Sequence, residues 1–339
     1  MGRIPSLLIL AMVLAFPLPQ SAAGVDAGVA SVAKPAIILW TNPLDIGSRD
    51  LFYGPGGKGG QPKEPFTFVE EDRGGTNPKF EVRDAAGAKW KVKLGPEVGP
   101  ETAATRLMWA VGFVANENYF VRETTVQDMP HHLERGQNLV SADGTIQSVR
   151  LQRPWKGKKA GNWDWKRNPF VGTREFNGLR VMMALLNNWD LRTVNNAIYA
   201  DRKEGNETED PEYYEVTDLG ASFGKTGESY RNSISKNNLR AYQKARFISK
   251  VTDTSVSFNF PTHLPFLYIF NFPHFVSQLR HRWVGKDIPR SDVKWIGSLL
   301  SQLSHEQICD AFRAAGYPPN EVEAFAAAVE KRIAQLNKL

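Results

Sequence analysis

At 339 residues the chain is longer than a typical single domain and suits two lobes or one large domain. Its 42% hydrophobic, 11% aromatic and 23% charged residues exclude a disordered chain and require a sizeable core. The formal charge of +6 comes without a basic run, a zinc signature or an RNP-like aromatic motif, so it reads as a solubility feature and no nucleic-acid partner is expected.

The first 23 residues, "MGRIPSLLILAMVLAFPLPQSAA", combine Arg3, an apolar stretch from Leu7 to Phe16, a proline break and a small-residue end. That layout predicts a cleaved signal peptide over 1–23 and a secreted or periplasmic product. The apolar stretch falls short of the ~20 residues a membrane span needs, and Pro17 and Pro19 fit poorly inside a helix, which disfavours the alternative of an uncleaved anchor. No other stretch approaches that length, so no transmembrane segment is expected after signal removal. Cys309 is the single cysteine, which rules out an internal disulfide, and its setting in "EQICDAFRAAG" predicts a core position on a helix.

Residues 24–65, with "GPGGKGGQPKEP", read as an extended, glycine-rich lead-in. A phosphate-loop reading fails on spacing: with Lys58 as the loop lysine, positions 52 and 59 would need glycine and a hydroxyl residue, and they hold Phe52 and Gly59. From Phe66 the period changes to two. "FTFVEED", "KFEVRD" and "KWKVKLG" alternate apolar and polar residues and predict an antiparallel meander. "PETAATRLMWAVGF" predicts a helix that buries Ala104, Leu107, Met108 and Val111 and stops at Gly112. "NYFVRETTV" and "TIQSVRLQR" predict two more strands, completing an antiparallel sheet of about five strands with one helix on it. Beyond Thr173 the chain turns helical, with Phe176, Leu179, Met183 and Leu186 on one face and two or three further helices near the end.

The chemistry gathers after the first of these later helices. In "NNWDLRTVNNAIY", Asp190 and Asn195 lie five residues apart between a predicted helix and a short strand, and "YEVTDLGASFG" sets Asp218 behind an apolar strand. An Asx-type turn explains the first pair structurally. Taken in order, however, N-W-D-L-R-T-V-N resembles the H-R-D-L-x-x-x-N catalytic loop and D-L-G the metal-binding D-F-G of the protein-kinase-like superfamily. The chain departs from that pattern at Asn188, Trp189 and Leu219. The resemblance implies Asp190 as catalytic base, Arg192 steadying the transferred phosphoryl group, Asn195 as a ligand of one metal ion and Asp218 bridging metal to nucleotide phosphates. Spacing prefers Asn195 over Asn196. The implied cofactors are Mg or Mn with ATP or another nucleotide, and the implied acceptor is an unidentified protein or small molecule.

The same resemblance asks the sheet for a lysine and the helix for a glutamate. Lys93 closes its strand as the kinase lysine does, with Lys91 on the same face, and a charged strand edge is the structural alternative. Glu101 is the helix candidate, although an acid there also answers the helix dipole, and Glu97 and Glu117 stay open. Gly74 and Gly75, between the first two strands, occupy the place of the glycine-rich nucleotide loop without its spacing, and hairpin chemistry explains them equally. Residues after Gly220 take the place of an activation segment but lack A-P-E. "PWKGKKAGNWDWKRNPF" carries Trp155, Trp163 and Trp165 among basic residues, as a sugar- or anion-binding loop or as a surface loop with anchoring tryptophans. His131 and His132 are adjacent and have no second cluster to complete a metal site, while Asn206 fits a glycosylation acceptor.

The expected architecture is therefore α+β and bilobal, protein-kinase-like, with a small antiparallel sheet lobe carrying one helix (66–168) and a mainly helical lobe (169–339). The expected function is an exported atypical kinase. The alternatives are a pseudokinase or ligand-binding module without turnover, or an envelope carbohydrate-binding protein.

Overall fold

The computed structural model describes residues 35–74, 77–200, 210–224, 236–260 and 281–339, with the backbone of two short strands at 226–229 and 232–234. The expected signal peptide (1–23), Gly75, Asn206 and most of the segment at 225–235 lie outside the described residues. After a short strand β1 (Ile37–Ile38), the glycine-rich lead-in departs from the extended path expected of it. Residues 46–48, 54–56 and 58–60 form 3-10 turns. Asp50 Oδ1 accepts the N–H groups of Phe52 and Tyr53, both at 3.0 Å, which starts the turning. Gly54 has φ +69° and lies so close to Arg106 that a Cβ would come within 2.4 Å of its guanidinium. A Cβ at Gly56 or Gly60 would likewise collide with the Tyr119 hydroxyl, which donates to the Gly57 carbonyl at 2.9 Å.

The alternating segments form β2 (Phe66–Asp72), β3 (Lys79–Arg83), β4 (Lys89–Lys93), β5 (Asn118–Gln127) and β6 (Thr145–Gln152). They close into a barrel of order β2-β3-β4-β6-β5. This corrects the expected antiparallel sheet, because β2 and β5 pair in parallel at Phe66↔Val126 and Thr67↔Gln127. Closure removes both sheet edges, and local alternation carries no information about it. Phe66, Phe80, Val82, Trp90, Val92, Leu94, Tyr119, Ile146, Val149 and Leu151 pack as the barrel core. Lys91 and Lys93, one residue out of phase with Trp90 and Val92, therefore face outward.

Helix α1 (Val98–Ala110) packs on β5 and β6 and is buried almost all round, because the C-terminal helices cover its other side. A helix wholly covered needs no single apolar stripe, which is why it carries Thr102, Thr105 and Arg106 into the interior. Residues 158–161 (β7) leave the barrel and pair with a second sheet of order β1-β9-β8-β7, built from β8 (Asn196–Ala200) and β9 (Glu212–Val216). Helix α2 (Arg174–Leu186) starts at Thr173, whose hydroxyl accepts the Phe176 N–H at 3.2 Å, and buries Phe176, Leu179, Met183 and Leu186. A hairpin of β10 (Thr226–Ser229) and β11 (Asn232–Ile234), helix α3 (Leu239–Lys244), and a sheet of β12 (Ile248–Val251), β13 (Ser255–Phe258) and β14 (Ile288–Pro289) follow. Helices α4 (Arg290–Leu300), α5 (His305–Arg313) and α6 (Pro319–Asn337) end the chain. The described residues thus hold six helices, two core clusters and an α+β architecture.

One buried side chain fixes where α2 ends. Arg332 of α6 donates to the carbonyls of Ala184 at 3.1 Å, Leu185 at 2.9 Å and Tyr242 at 3.1 Å, and to Asn187 Oδ1 at 3.0 Å. Its guanidinium lies 3.9 Å from the centre of the Tyr242 ring. These bonds satisfy carbonyls that a helix end leaves open and set the chain direction just before Asp190. Arg332→Met keeps much of the apolar volume but removes these buried bonds, leaving each carbonyl with one remaining partner, such as the Tyr242 hydroxyl on Leu185, so it is expected to lower unfolding free energy by about 1–3 kcal/mol, read as a shifted urea midpoint at unchanged slope.

Candidate active site

The outward phase of β4 and the strand register create the first half of the site. Pairing of β4 with β6 sets Lys93 opposite Arg150, so two cations lie side by side under the first turns of α1. Glu101, fully buried, answers both: Oε2 accepts from Lys93 Nζ at 2.7 Å and Oε1 lies 2.9 Å from Arg150 Nη1. Glu97, at the N-cap position of α1, lies 2.8 Å from the same ammonium and also bonds Asn77 and Lys236. Asp218 Oδ1 completes the set at 3.5 Å from Lys93 and accepts the Gly220 N–H at 3.1 Å. Gly220 has no room for a side chain, since a Cβ would lie 2.7 Å from Glu97 Cβ. Burial opposes the ammonium of Lys93, yet Glu101, Asp218 and Glu97 outweigh it and raise its pKa above the ordinary lysine value. Burial likewise opposes ionisation of Asp218, yet Lys93 and the Gly220 amide hold its carboxyl below the ordinary value. For Glu101, burial dominates and pushes the carboxyl up against Arg150 and Lys93.

The second half is the chain from Asn187 to Thr217. Asn187 takes a left-handed conformation, φ 54°, and turns the chain out of α2. Asn188 accepts the Asp190 N–H at 3.2 Å on Oδ1 and directs Nδ2 to the Asp218 carbonyl at 3.4 Å, so it ties the two motifs together. Asp190 receives a two-pronged bond from Arg192, 2.6 and 2.7 Å, and its carbonyl accepts from Asn195 Nδ2 at 3.0 Å. The Asn195 carbonyl in turn accepts the Thr217 N–H at 2.8 Å, one residue before Asp218. Asn196 points the other way, donating to the Trp163 carbonyl at 3.0 Å inside the second sheet.

The remaining candidates separate from this cluster. Lys91 pairs with Asp72 at 3.2 Å, which distinguishes it from Lys93. Gly74 spends its N–H on Asp72 Oδ1 at 2.9 Å, so that amide is committed to the turn and not presented to a ligand. Glu117 lies 3.6 Å from Arg153 and lines a cavity of about 430 Å³ with Asn116, Trp155, Tyr199 and Tyr213. None of Lys93, Glu101 and Asp218 lines that cavity. Trp163 and Trp165 are buried anchors, while Trp155 stacks on Tyr199 and donates to Glu215, whose carboxyl burial pushes up to about 8. Arg150, Asn188 and Lys236 are the residues that motif reading missed. A cation on the strand next to Lys93 becomes readable only once strand order is known.

The all-oxygen set of Glu97, Glu101 and Asp218, with ligand atoms within 4.8 Å, has the hard-donor chemistry that Mg or Mn takes. Glu101 is already engaged by Lys93 and Arg150, and Glu97 by Lys93, Asn77 and Lys236, which leaves Asp218 the least committed carboxylate of the set.

No family model matches the sequence, and no curated protein matches it. Among solved structures, a Helicobacter pylori proinflammatory kinase, CtkA, overlaps with a TM-score of 0.45 at 13% identity, covering 82% of this chain and 97% of that one. The amicoumacin kinase hAmiN in complex with AMP-PNP, Ca2+ and Ami overlaps with a TM-score of 0.17 at 11% identity, covering 80% of this chain and 89% of that one. Neither overlap is close enough to assign this chain a family or a function.

The electrostatics of the cluster predict a pH signature. In the parent, the depressed Asp218 contributes stability that is complete above the ordinary carboxylate pKa and is lost as pH falls through the lower folded value. Lys93→Met leaves Glu101 and Asp218 facing each other without the central cation that lowers both, so the folded pKa values of these two rise and the sign reverses. The variant is expected to be less stable than the parent by about 3–5 kcal/mol at pH 8, the deficit shrinking toward pH 5 as the carboxylates take up protons. Urea midpoints across that range measure it, and a deficit independent of pH would contradict the charge network.

Proposed function

We propose that the chain is an exported phosphotransferase of protein-kinase type, moving a phosphoryl group from a nucleotide to an acceptor hydroxyl. The observation that carries this reading is the contact of Lys93 with Glu101, on the helix that follows its strand, and with Asp218, far downstream in the sequence, around one buried ammonium. In this reading Lys93, held by Glu101, presents its charge to the nucleotide phosphates. Asp218 and Asn195 hold a divalent cation, which when bound neutralises phosphate charge. Asp190 orients the acceptor hydroxyl and Arg192 steadies the transferred group. A mature chain beginning near Ala23 and acting outside the cytoplasm belongs to the same proposal.

A second reading, a pseudokinase or ligand-binding module, is favoured by one contact: the Arg192 fork occupies both carboxylate oxygens of Asp190. Two variants separate the readings. Asp218→Ala is expected to abolish metal-dependent nucleotide binding and turnover together. Asp190→Ala is expected to leave nucleotide affinity nearly unchanged and to slow transfer by roughly a hundredfold to ten-thousandfold. The measurements are nucleotide affinity with and without Mg or Mn, alongside phosphate release or autophosphorylation. Metal-dependent binding without turnover in the parent selects the second reading, and full turnover in Asp190→Ala reduces the Asp190 segment to a structural turn.

A further inference from the structure

A second set of metal-ligating side chains lies on the C-terminal helices, away from the acid–lysine cluster. Ser304 and Gln307 form a reciprocal capping box at the start of α5, which fixes His305 as its first residue and places Cys309 one turn on, on the same face. Helix α6 packs against α5 and brings Glu323 and Glu330, two turns apart, to that face. His305 Nε2 lies 3.0 Å from Glu323 Oε2 and 3.4 Å from Cys309 Sγ, and Sγ lies 3.8 Å from Glu323 Oε1. The other ring nitrogen, Nδ1, lies 3.0 Å from Glu330 Oε1.

These separations suit a bound ion. Zinc bonds of ~2.0–2.3 Å in tetrahedral geometry place neighbouring donor atoms roughly 3.3–3.6 Å apart; His305 Nε2 and Cys309 Sγ are 3.4 Å apart, each faces one oxygen of the Glu323 carboxylate, and one ligand atom from each of the three residues falls within 4.8 Å of the others. A histidine that ligates through one nitrogen characteristically gives its other N–H to a carboxylate, which fixes the tautomer and strengthens the donor. Glu330 stands in that relation to His305. The imidazole, thiol and carboxylate set also differs in kind from the oxygen-only set at Asp218, and selects borderline transition ions over Mg or Ca.

We propose that His305 Nε2, Cys309 Sγ and a Glu323 carboxylate oxygen form a zinc site that clips α5 to α6, with Glu330 as the positioning carboxylate and a fourth coordination place for water. Binding displaces the Cys309 thiol proton, together with any proton held between Nε2 and Glu323, and the sulfur binds as thiolate. Cys309 is fully buried while the side chains of His305 and Glu323 remain about half exposed, so the ion reaches the sulfur past those two.

The test uses the purified chain, reduced and stripped of metal, titrated with Co2+ as a spectroscopic probe and Zn2+ as competitor. One equivalent of Co2+ is expected to give a near-ultraviolet thiolate-to-cobalt band that one equivalent of Zn2+ removes. Cys309→Ser, close to the native shape, and His305→Ala, at an exposed position, should both lose the band. Glu330→Gln should keep it with affinity weakened about 10–100-fold. Asp218→Ala should keep it unchanged, which separates this site from the acid–lysine cluster. A parent chain that shows no band while its thiol is reduced, or Zn2+ affinity equal in the parent and His305→Ala, would overturn the proposal and leave His305, Glu323 and Glu330 as surface ion pairs.

Discussion

One ammonium group, that of Lys93, with only 6% of its side chain exposed, holds three separate parts of the chain in register. Strand β4 supplies it, α1 answers with Glu97 and Glu101, and the D-L-G segment answers with Asp218. Removing an ion from water costs several kcal/mol, and a single partner seldom offsets that cost. The network resolves the problem by counting: Lys93, Arg150 and Lys236 face Glu97, Glu101 and Asp218, three charges of each sign. Its physical value lies in specificity, because a shift of α1 by one residue or of β4 against β6 would bury charge without a partner.

That constraint explains why α1 is so polar inside. A helix covered on all sides gains from burial whatever its rotation, so apolar contacts alone leave its angle and register loosely fixed. The polar contacts supply the missing information. Arg106 donates to Asn118 on β5, Glu101 reaches β4 and β6, and Glu97 reaches the segment at Lys236. Both acids also lie in the first turns of the helix, where the macrodipole favours negative charge. For Glu101 the favourable place at the helix N-terminus and the pairing with Lys93 and Arg150 therefore coexist. At the far end, Gly112 at φ +94° lies so close to the Thr41 carbonyl that any side chain would collide, which fixes the turn that returns the chain to β5.

Much of this was legible in the sequence, for reasons that can be named. Strand alternation placed Lys91 and Lys93 on one face, and helix periodicity in 176–186 marked a core helix, because both signals are local. The order of D-L-R-T-V-N and D-L-G points to a meeting of distant segments, which the bonds of Asn188 with Asp218 and of Thr217 with Asn195 make. Local signals could not show that β2 closes on β5, that Arg150 lies beside Lys93, or that Gly54, Gly56 and Gly60 serve close packing against Arg106 and Tyr119. Each of those depends on which strands become neighbours. Cys309 illustrates the same limit: its helical setting announced a buried thiol, but His305 and Glu323 meet it only because α6 folds back on α5.

The two acids singled out by the motifs are held in place by different means. Asp218 is fixed by Lys93 and by the Gly220 amide within a buried network, so its position is set before any ligand arrives. Asp190 is fixed through its backbone: Asn188 takes its N–H, Asn195 takes its carbonyl, and both asparagines are in turn tied to the strand leading to Asp218. Its carboxylate is held by a two-pronged bond from Arg192, whose side chain is 48% exposed while that of Asp190 is 14% exposed. Both prongs come from a residue two positions away, so they fix Asp190 within its own loop, whereas the bonds of Lys93 tie β4 to α1 and to the D-L-G segment, and breaking them would uncover buried charge. The arrangement thus sets a charge network drawn from three parts of the chain beside a carboxylate held by its own loop, with main-chain bonds keeping that loop in place.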